Sequence, residues 1–566
     1  MAKCVVLLLT AVTAATLAGL LPDEAQATLW FQSNGLLFIA LTVAIWLFCE
    51  LRVYASRCRA GLRRHWGAMV LALVLTGLAF AVSPPKFRFL ADESDLAGVS
   101  MLMAKHGVAS LPLMTTFRTA GVEEYVTVVD KRPLLFPFAV SLVHLATGYR
   151  PENSFVVNLL ALALVLFGTY LLAGRLWGRL LGVLAMLLVV ACPALVIWST
   201  SGGFETLNLA FVILAFIAFD DFTRQRNAAT AELLIATLVI LAQCRYESAL
   251  FGVLLLFAGR KLLTRDILTR LSAAALLLPV GFVPWLWQRS AVANEKMQVD
   301  FLFESRGIGT ITQAFSLESL LAHTPLNAYT LSGLEPFYGF SFVLFALFVV
   351  GASLLIVRLR SLPAPTRSLL VAAIVCEALA FVVVSAYFWG DFSDPSTNRL
   401  SLVFVPGLVL PATFALQLLL TTHRARILVV LAFVLQIAWL WPHAHAGGLA
   451  PQLFLPRMYD NGLTLLRKHY ADPRSVLLVS SNANLYLIHG YAATNYANAT
   501  LELESLRTAG RPPAKVVLLQ LCLGPSGVRR PMPNNQLSKA WRLTEVETIQ
   551  LDPLFELRLV EAAPNL

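Results

Sequence analysis

The chain has 566 residues, 58% of them hydrophobic, and only 13% are Asp, Glu, Lys or Arg. Soluble globular proteins carry about 25% charged residues, so this composition excludes a soluble enzyme, an intrinsically disordered chain and a disulfide scaffold. The net charge of +10 at pH 7 does not point to nucleic acid, because the cations sit in short gaps between long apolar runs.

Runs such as Leu180 to Ser199 and Leu400 to Leu420 are long enough to cross about 30 Å of hydrocarbon as helices. The basic gaps hold Arg52, Arg57, Arg59, Arg63 and Arg64, then Arg175 and Arg179, and then Arg224 and Arg226. Arg260, Lys261, Arg265 and Arg270 follow, then Arg358, Arg360 and Arg367, and lastly Arg424 and Arg426. The gaps between these clusters are acidic or mixed, which is the positive-inside pattern and fixes an orientation.

With the basic clusters as cytoplasmic markers, hydrophobic helices are predicted at 3–21, 35–50, 66–83, 154–174, 180–199, 205–219 and 231–243. Further helices follow at 248–259, 271–289, 338–357, 368–388, 400–420 and 427–442, about 13 spans in all. Lys3, the first apolar stretch and Ala25-Gln26-Ala27 also have the form of a signal peptide, and the reading adopted is a retained helix. The run 134–147, directly after Pro133, reads as a membrane-surface helix. Three outer segments are long: 84–153, 290–337 and the tail from 443. The tail carries β-rich runs at Ser475–Ser480, Lys515–Leu521 and Phe555–Val560 between helical and turn-rich stretches, which predicts a small α/β domain. No Gly-x-Gly-x-x-Gly follows its first strand, so no nucleotide site is assigned to it. The expected division is therefore 1–65 as N-terminal helices with a basic cytoplasmic loop, 66–442 as the transmembrane module with its outer loop 84–153, and 443–566 as an extracytoplasmic α/β domain.

Seven cysteines are scattered without Cys-x-x-Cys or His-rich spacing, which argues against a disulfide framework or a structural zinc site. Cys4, Cys49, Cys192, Cys244 and Cys376 read as small buried residues, Cys58 lies in the first basic cluster, and Cys522 lies in the tail.

Five places carry chemistry. The first outer loop opens with Asp92, Glu93 and Asp95, three carboxylates within four residues just past a membrane helix. They suit general-base work or a divalent cation, or simply a solvated loop. The same loop closes on Asp130-Lys131-Arg132-Pro133, where adjacent cations fit a phosphate at headgroup depth or serve as snorkelling anchors. Glu205 opens a span after the Gly202-Gly203 turn, where an acid can also act only on the helix dipole. Gln243-Cys244-Arg245-Tyr246-Glu247-Ser248 interrupts an apolar stretch, and charges placed there face a cavity or each other. Finally, Asn398-Arg399 precedes a late span on the non-basic side. Glu377, inside the preceding span, is open to two readings, as the partner of Arg399 or as a neutral packing residue.

In this order the five places resemble the membrane glycosyltransferases of the GT-C class, with the nearest likeness to the aminoarabinose lipid A transferases and protein O-mannosyltransferases of glycosyltransferase family 39. The family's Asp-Glu pair after an early span is matched by Asp92-Glu93, and its acid-Lys-Pro motif by Asp130-Lys131-Arg132-Pro133, with Arg132 inserted. Glu205 stands where the family more often has Asp, Arg245 where it carries a basic residue, and Arg399 where it has a polar or basic one. The likeness covers roughly residues 66–420. It implies an inverting transfer of sugar from a polyprenyl-phosphate donor to an acceptor hydroxyl of an envelope lipid, glycan or protein, outside the inner (cytoplasmic) membrane. It also implies Asp92 as general base, with Lys131, Arg132, Arg245 and Arg399 at the donor phosphate. Glu205 would orient the acceptor or join Asp92 at a divalent ion, since metal dependence differs within the class. Glu93 is grouped with Asp92 and Glu205 as catalytic, and Asp95 and Glu247 are further candidates. The rival reading is a transporter or a flippase for lipid-linked sugars, which the long first loop and the outer tail disfavour. A third is a membrane scaffold that binds partners through the tail.

Overall fold

The computed structural model describes residues 24–55, 58–88, 90–117, 123–293, 314–334, 339–420, 422–449, 454–508, 515–524, 530–532, 535–537 and 540–564, together with 3, 8 and 10–15. The helix expected at 3–21 falls largely outside these residues, and the outer segment 290–337 is described at 290–293 and 314–334, where it forms the helix Leu317–Leu331. The chain folds into two compact units: Met1–Lys86, Lys131–Ala139 and Phe155–Ala450 form the first, and Phe87–Asp130, Val140–Ser154 and Pro451–Leu566 form the second. The opening of the first outer loop, expected with the transmembrane module, belongs to the second unit.

The first unit is helical. Among the described residues eight helices are long and apolar enough to cross a membrane, or nine if Arg179–Val190 and Pro193–Ser199, bent by 73°, form one span. That is fewer than the 13 or so expected. The expected spans at 231–243 and 248–259 are the shorter helices Ala228–Ala242 and Ala249–Gly259. The run 271–289 breaks into Ala273–Leu277, a 3-10 turn Leu278–Phe282 and Val283–Ala293, because Pro279 and Pro284 remove backbone donors. The run 134–147 forms the short apolar helix Leu135–Thr147.

Burial ranks these helices. Glu205–Gln225 is enclosed on nearly every face, whereas His423–Ala446 and Phe342–Ser361 present mostly exposed apolar side chains, as lipid-facing spans do. Close approach depends on small residues: a methyl on Gly351 would run into the Pro411 carbonyl of the neighbouring helix. The central helix is tied at its C-terminal end, where Arg175 reaches Asp221 at 3.0 Å and Asp220 at 3.7 Å, and Arg224 holds Asp220 at 2.8 Å. Tyr54 donates to Asp221 and Arg52 pairs with Glu232. Those two contacts fasten the long helix Glu24–Tyr54 to the bundle. Asp220, Asp221 and Glu232 are buried acids whose basic partners were visible in the sequence only as topology markers.

The second unit is built on a six-stranded sheet. A small hairpin comes first, β1 (Leu111–Phe117) with β2 (Glu123–Val128), paired antiparallel. The tail supplies β3 (Leu477–Val479), β4 (Ala492–Thr494), β5 (Val516–Leu523), β6 (Arg530–Pro531), β7 (Trp541–Gln550) and β8 (Phe555–Pro564). Their order is β4-β3-β5-β8-β7, with β6 on β5; β4, β3 and β5 run parallel, and β8 and β7 antiparallel. The three expected β-rich runs are β3, β5 and β8, and Cys522 is buried in β5.

Successive side chains on a strand point to opposite faces, and here both faces are covered. Val517, Leu519 and Leu478 meet Tyr459 and Leu466 of helix Phe454–His469, while Val516, Leu518 and Val479 meet Tyr496 and Leu503 of helix Tyr496–Thr508. The loop and the tail fold together. Thr115 Oγ1 donates to the Ala493 carbonyl at 3.1 Å, and Asn484 Nδ2 donates to Asp95 Oδ1 at 3.0 Å.

Candidate active site

In the first unit the sequence builds one polar cluster at the N-terminal end of the central helix. Helix Pro193–Ser199 ends in the turn 200–204, and Glu205 is the first residue of the next helix. Asn158 Nδ2 pins that turn by donating to the carbonyls of Ser201 and Gly203, both at 2.7 Å. Gly203 leaves room for the Glu205 carboxylate, because a methyl there would strike its Oε2 and displace it. The carboxylate is 2% exposed, and its Oε1 receives Arg399 Nη1 at 3.0 Å and Arg245 Nη1 at 3.4 Å. Its Oε2 is buried and accepts no hydrogen bond among the described residues.

Each arginine is itself positioned. Arg399 lies at the start of a 3-10 turn, Asn398–Phe404, and donates through Nε to the Ser396 carbonyl at 2.9 Å. Beside it Asn398 accepts the Trp198 indole N–H at 2.9 Å and donates to the Phe392 carbonyl at 2.9 Å, which locks the loop before the late span to helix Pro193–Ser199. Arg245 projects from the break between the two half-length helices. It spans Glu205 and Glu247, reaching the latter at 3.3 Å and 3.4 Å, and lies 4.9 Å from the centre of the Phe204 ring. Ser248 Oγ donates to Asn208 Oδ1 at 2.7 Å, one turn beyond Glu205, and fixes the break against the central helix.

The segment after Asp130 joins the same break. The Leu135 N–H donates to the Gln243 carbonyl at 3.2 Å, Gln288 Nε2 donates to the Arg132 carbonyl at 2.6 Å, and Tyr246 donates to Gln288. Lys131 is exposed and Arg132 buried. Arg289, not singled out from the sequence, lies over the Tyr246 ring at 4.0 Å. Its only sequence signal was a charge between Trp287 and the end of an apolar helix.

Glu377 is not the partner of Arg399. Its Oε1 accepts the Gly407 N–H at 2.7 Å, and the partner is Glu205, which showed no basic neighbour in sequence.

Asp92, Glu93 and Asp95 belong to the second unit, in the first turns of helix Leu90–His106. Glu93 is buried and accepts the Arg88 N–H at 2.5 Å, closing the helix start, and Asp95 is held by Asn484. Asp92 is half-buried. Deeper in this unit His144 bridges Ser100 at 3.1 Å and Asn153 at 2.8 Å; burial, aided by the Lys105 charge, lowers its pKa from 6.5 to about 4.

No group of three or more His, Cys, Asp and Glu able to hold a metal ion occurs among the described residues. At Glu205 two guanidinium groups share Oε1, and Oε2 is the oxygen left over among the described residues.

No protein-family model and no curated protein matches the sequence. Among solved structures the chain is similar to ArnT from Cupriavidus metallidurans bound to undecaprenyl phosphate, at 13% identity and a TM-score of 0.53, covering 88% of this chain and 98% of that one. It is also similar to the apo oligosaccharyltransferase of Archaeoglobus fulgidus (12% identity, TM-score 0.45, 80% of this chain and 69% of that one). A third likeness is to the mycobacterial arabinofuranosyltransferase AftD (13% identity, TM-score 0.45, 88% of this chain and 41% of that one). At these identities the likeness is one of fold, and the ArnT match carries it: the chain is a multi-pass membrane protein with the GT-C fold.

Proposed function

We propose that the protein is a membrane glycosyltransferase that moves a sugar from a polyprenyl-phosphate donor to an acceptor hydroxyl, with inversion, on the outer face of the cytoplasmic membrane. The observation that supports this most is the convergence of Arg245 and Arg399 on buried Glu205 at the end of the central helix, within a GT-C fold. Preorganised cations aimed at developing negative charge are usually the largest catalytic term, and a departing polyprenyl phosphate develops such charge. Arginine presents two donors to a phosphate at once. Glu205 holds the guanidinium groups in place until donor phosphate competes for them, with Lys131 and Arg132 as additional phosphate contacts.

The reaction balances without a cofactor. The acceptor oxygen attacks the anomeric carbon, its proton passes to Asp92, and the bond from carbon to the phosphate oxygen breaks to release polyprenyl phosphate. Phosphate is a competent leaving group, so no acid need protonate it. Asp92 is preferred over its neighbours because it opens the Asp-Glu pair and follows the end of the preceding membrane helix most closely. The donor class accords with the lipid bound to ArnT, and the outward orientation follows from the basic clusters. Acceptors of this kind are envelope lipids, glycans or proteins.

The test is purified protein in liposomes with a labelled polyprenyl-phosphate sugar and an envelope extract as acceptor. Release of free polyprenyl phosphate, reduced roughly 10²–10⁴-fold by Asp92→Asn, is the expected result. Movement of intact lipid-linked sugar between leaflets without release identifies a flippase instead and refutes the proposal.

A further inference from the structure

The domain built by the tail has a cavity of its own, lined by none of the residues proposed above for the transfer. Strand β3 has β4 on one side and β5 on the other, all parallel, with the connections running through Asn484–Leu487 and Tyr496–Thr508. The chain thus winds one way from β3 to β4 and returns past β3 to reach β5. In open α/β sheets such a reversal leaves a crevice at the carboxyl ends of the strands, the usual place for a ligand.

The crevice is occupied by a cavity of about 390 Å³, within the range of about 300–1,000 Å³ for small-molecule sites. Ser480, Ser481 and Asn482 follow directly on β3 and line it, and Asn535 faces them. Ser481 donates to Asn535 Oδ1, and Gln520 Nε2 donates to the Asn535 carbonyl at 2.9 Å, so this wall is fixed. The carboxamide of Asn482 makes no side-chain hydrogen bond among the described residues and is half-buried at the rim beside exposed Ser481. Leu519, Leu557 and the ring of Tyr486 form the apolar floor.

The chemistry of the lining selects the occupant. Among the described residues its lining contains no Asp, Glu, Lys, Arg or His, so no described side chain in it compensates a phosphate, a carboxylate or an ammonium. Amides and hydroxyls at the rim of an apolar floor match a ring that has hydroxyls on its rim and C–H bonds on its face. We infer that this cavity is a binding site for a neutral saccharide, distinct from the Glu205 cluster. The inference stands apart from the transferase reading, since it concerns binding and not turnover.

The test is ligand-observed saturation-transfer NMR on the full-length protein in nanodiscs. The probes are neutral hexoses, pentoses, N-acetylhexosamines and their disaccharides, with glucuronate and glucose 6-phosphate as charged controls. Neutral sugars should give signal and the charged ones should not. Asn482→Ala should weaken binding about three- to tenfold, the worth of one hydrogen bond. Ser481→Trp, a change at an exposed position, should block the cavity and abolish the signal. Thermal unfolding of both variants shows whether they are folded. Absence of binding by every neutral probe overturns the inference, as does binding that both folded variants retain. Failure of sugar transfer with binding intact refutes the transferase reading alone.

Discussion

Glu205→Gln tests the polar cluster most directly, because it keeps the shape and removes the charge that two arginines share. Removing one partner of a buried ion pair costs about 3–5 kcal/mol, since the remaining charge is left uncompensated. The two arginines do not share that cost equally. Arg399, 9% exposed, approaches Glu205 to 3.0 Å, a full hydrogen-bonding distance, whereas Arg245, 12% exposed, stays 3.4 Å away and divides its guanidinium between Glu205 and Glu247, whose side chain is 58% exposed. Most of the loss should therefore fall on Arg399. A double-mutant cycle should give a coupling of about 1.5–3 kcal/mol for Glu205 with Arg399, the range for a charged hydrogen bond, and about 1 kcal/mol or less for Glu205 with Arg245. The assay is reversible unfolding in mixed micelles, with single and double glutamine variants compared at one temperature. Wild-type stability for Glu205→Gln, or equal couplings to both arginines, would refute the reasoning.

Other outcomes follow from the same geometry. Lys131→Ala and Arg245→Ala should each lower donor use about 10- to 150-fold, one charge-assisted contact of about 1.5–3 kcal/mol; only Arg245→Ala should also lower stability, as Lys131 is exposed. Gly203→Ala should push the Glu205 carboxylate from its place and reduce labelled-sugar transfer at least tenfold, whereas Gly67→Ala, with open space around its Cα, should leave transfer unchanged. The fourth concerns pH. With a folded pKa near 4 against 6.5 unfolded, His144 is neutral in the fold, so its contribution is complete above about pH 6.5 and declines as pH falls towards 4, by at most about 1.4 kcal/mol per pH unit. His489, held down to about 4 by burial and Arg467, has the same sign. Unfolding midpoints measured from pH 4 to 7.5 should show this slope, and His144→Gln should reduce it, leaving the part that His489 contributes.

Much of the fold was legible because hydrocarbon imposes long uncharged helices and the basic clusters punctuate them. What misled was continuity. The run 180–199 is apolar throughout, yet the chain bends by 73° where Pro193 opens a new helix, and Pro279 and Pro284 give the same signal in 271–289. At the site, sequence selected Glu205, Arg245 and Arg399 individually but not their convergence, since Arg245 alone stands 40 residues from Glu205. The role of Asn158 was hidden as well, because an amide in an apolar helix does not disclose that it caps a turn on the next one. The β-rich runs of the tail were readable from composition, but their association with the first loop was not.

That association has a consequence for biosynthesis. The bond from Thr115 to Ala493 joins residues 378 apart, and that from Asn484 to Asp95 joins residues 389 apart. A ribosome adds about 5–20 residues per second, so the helix bearing Asp92 emerges roughly 20–80 s before the strand and helix that complete its packing. Over that interval Leu96, Met101 and Leu102, all fully enclosed in the finished protein, lack part of their final surroundings. The nascent loop is then the segment on which a chaperone or a protease acts first, and a chain terminated after the last span would retain its helices while leaving that loop permanently unfinished.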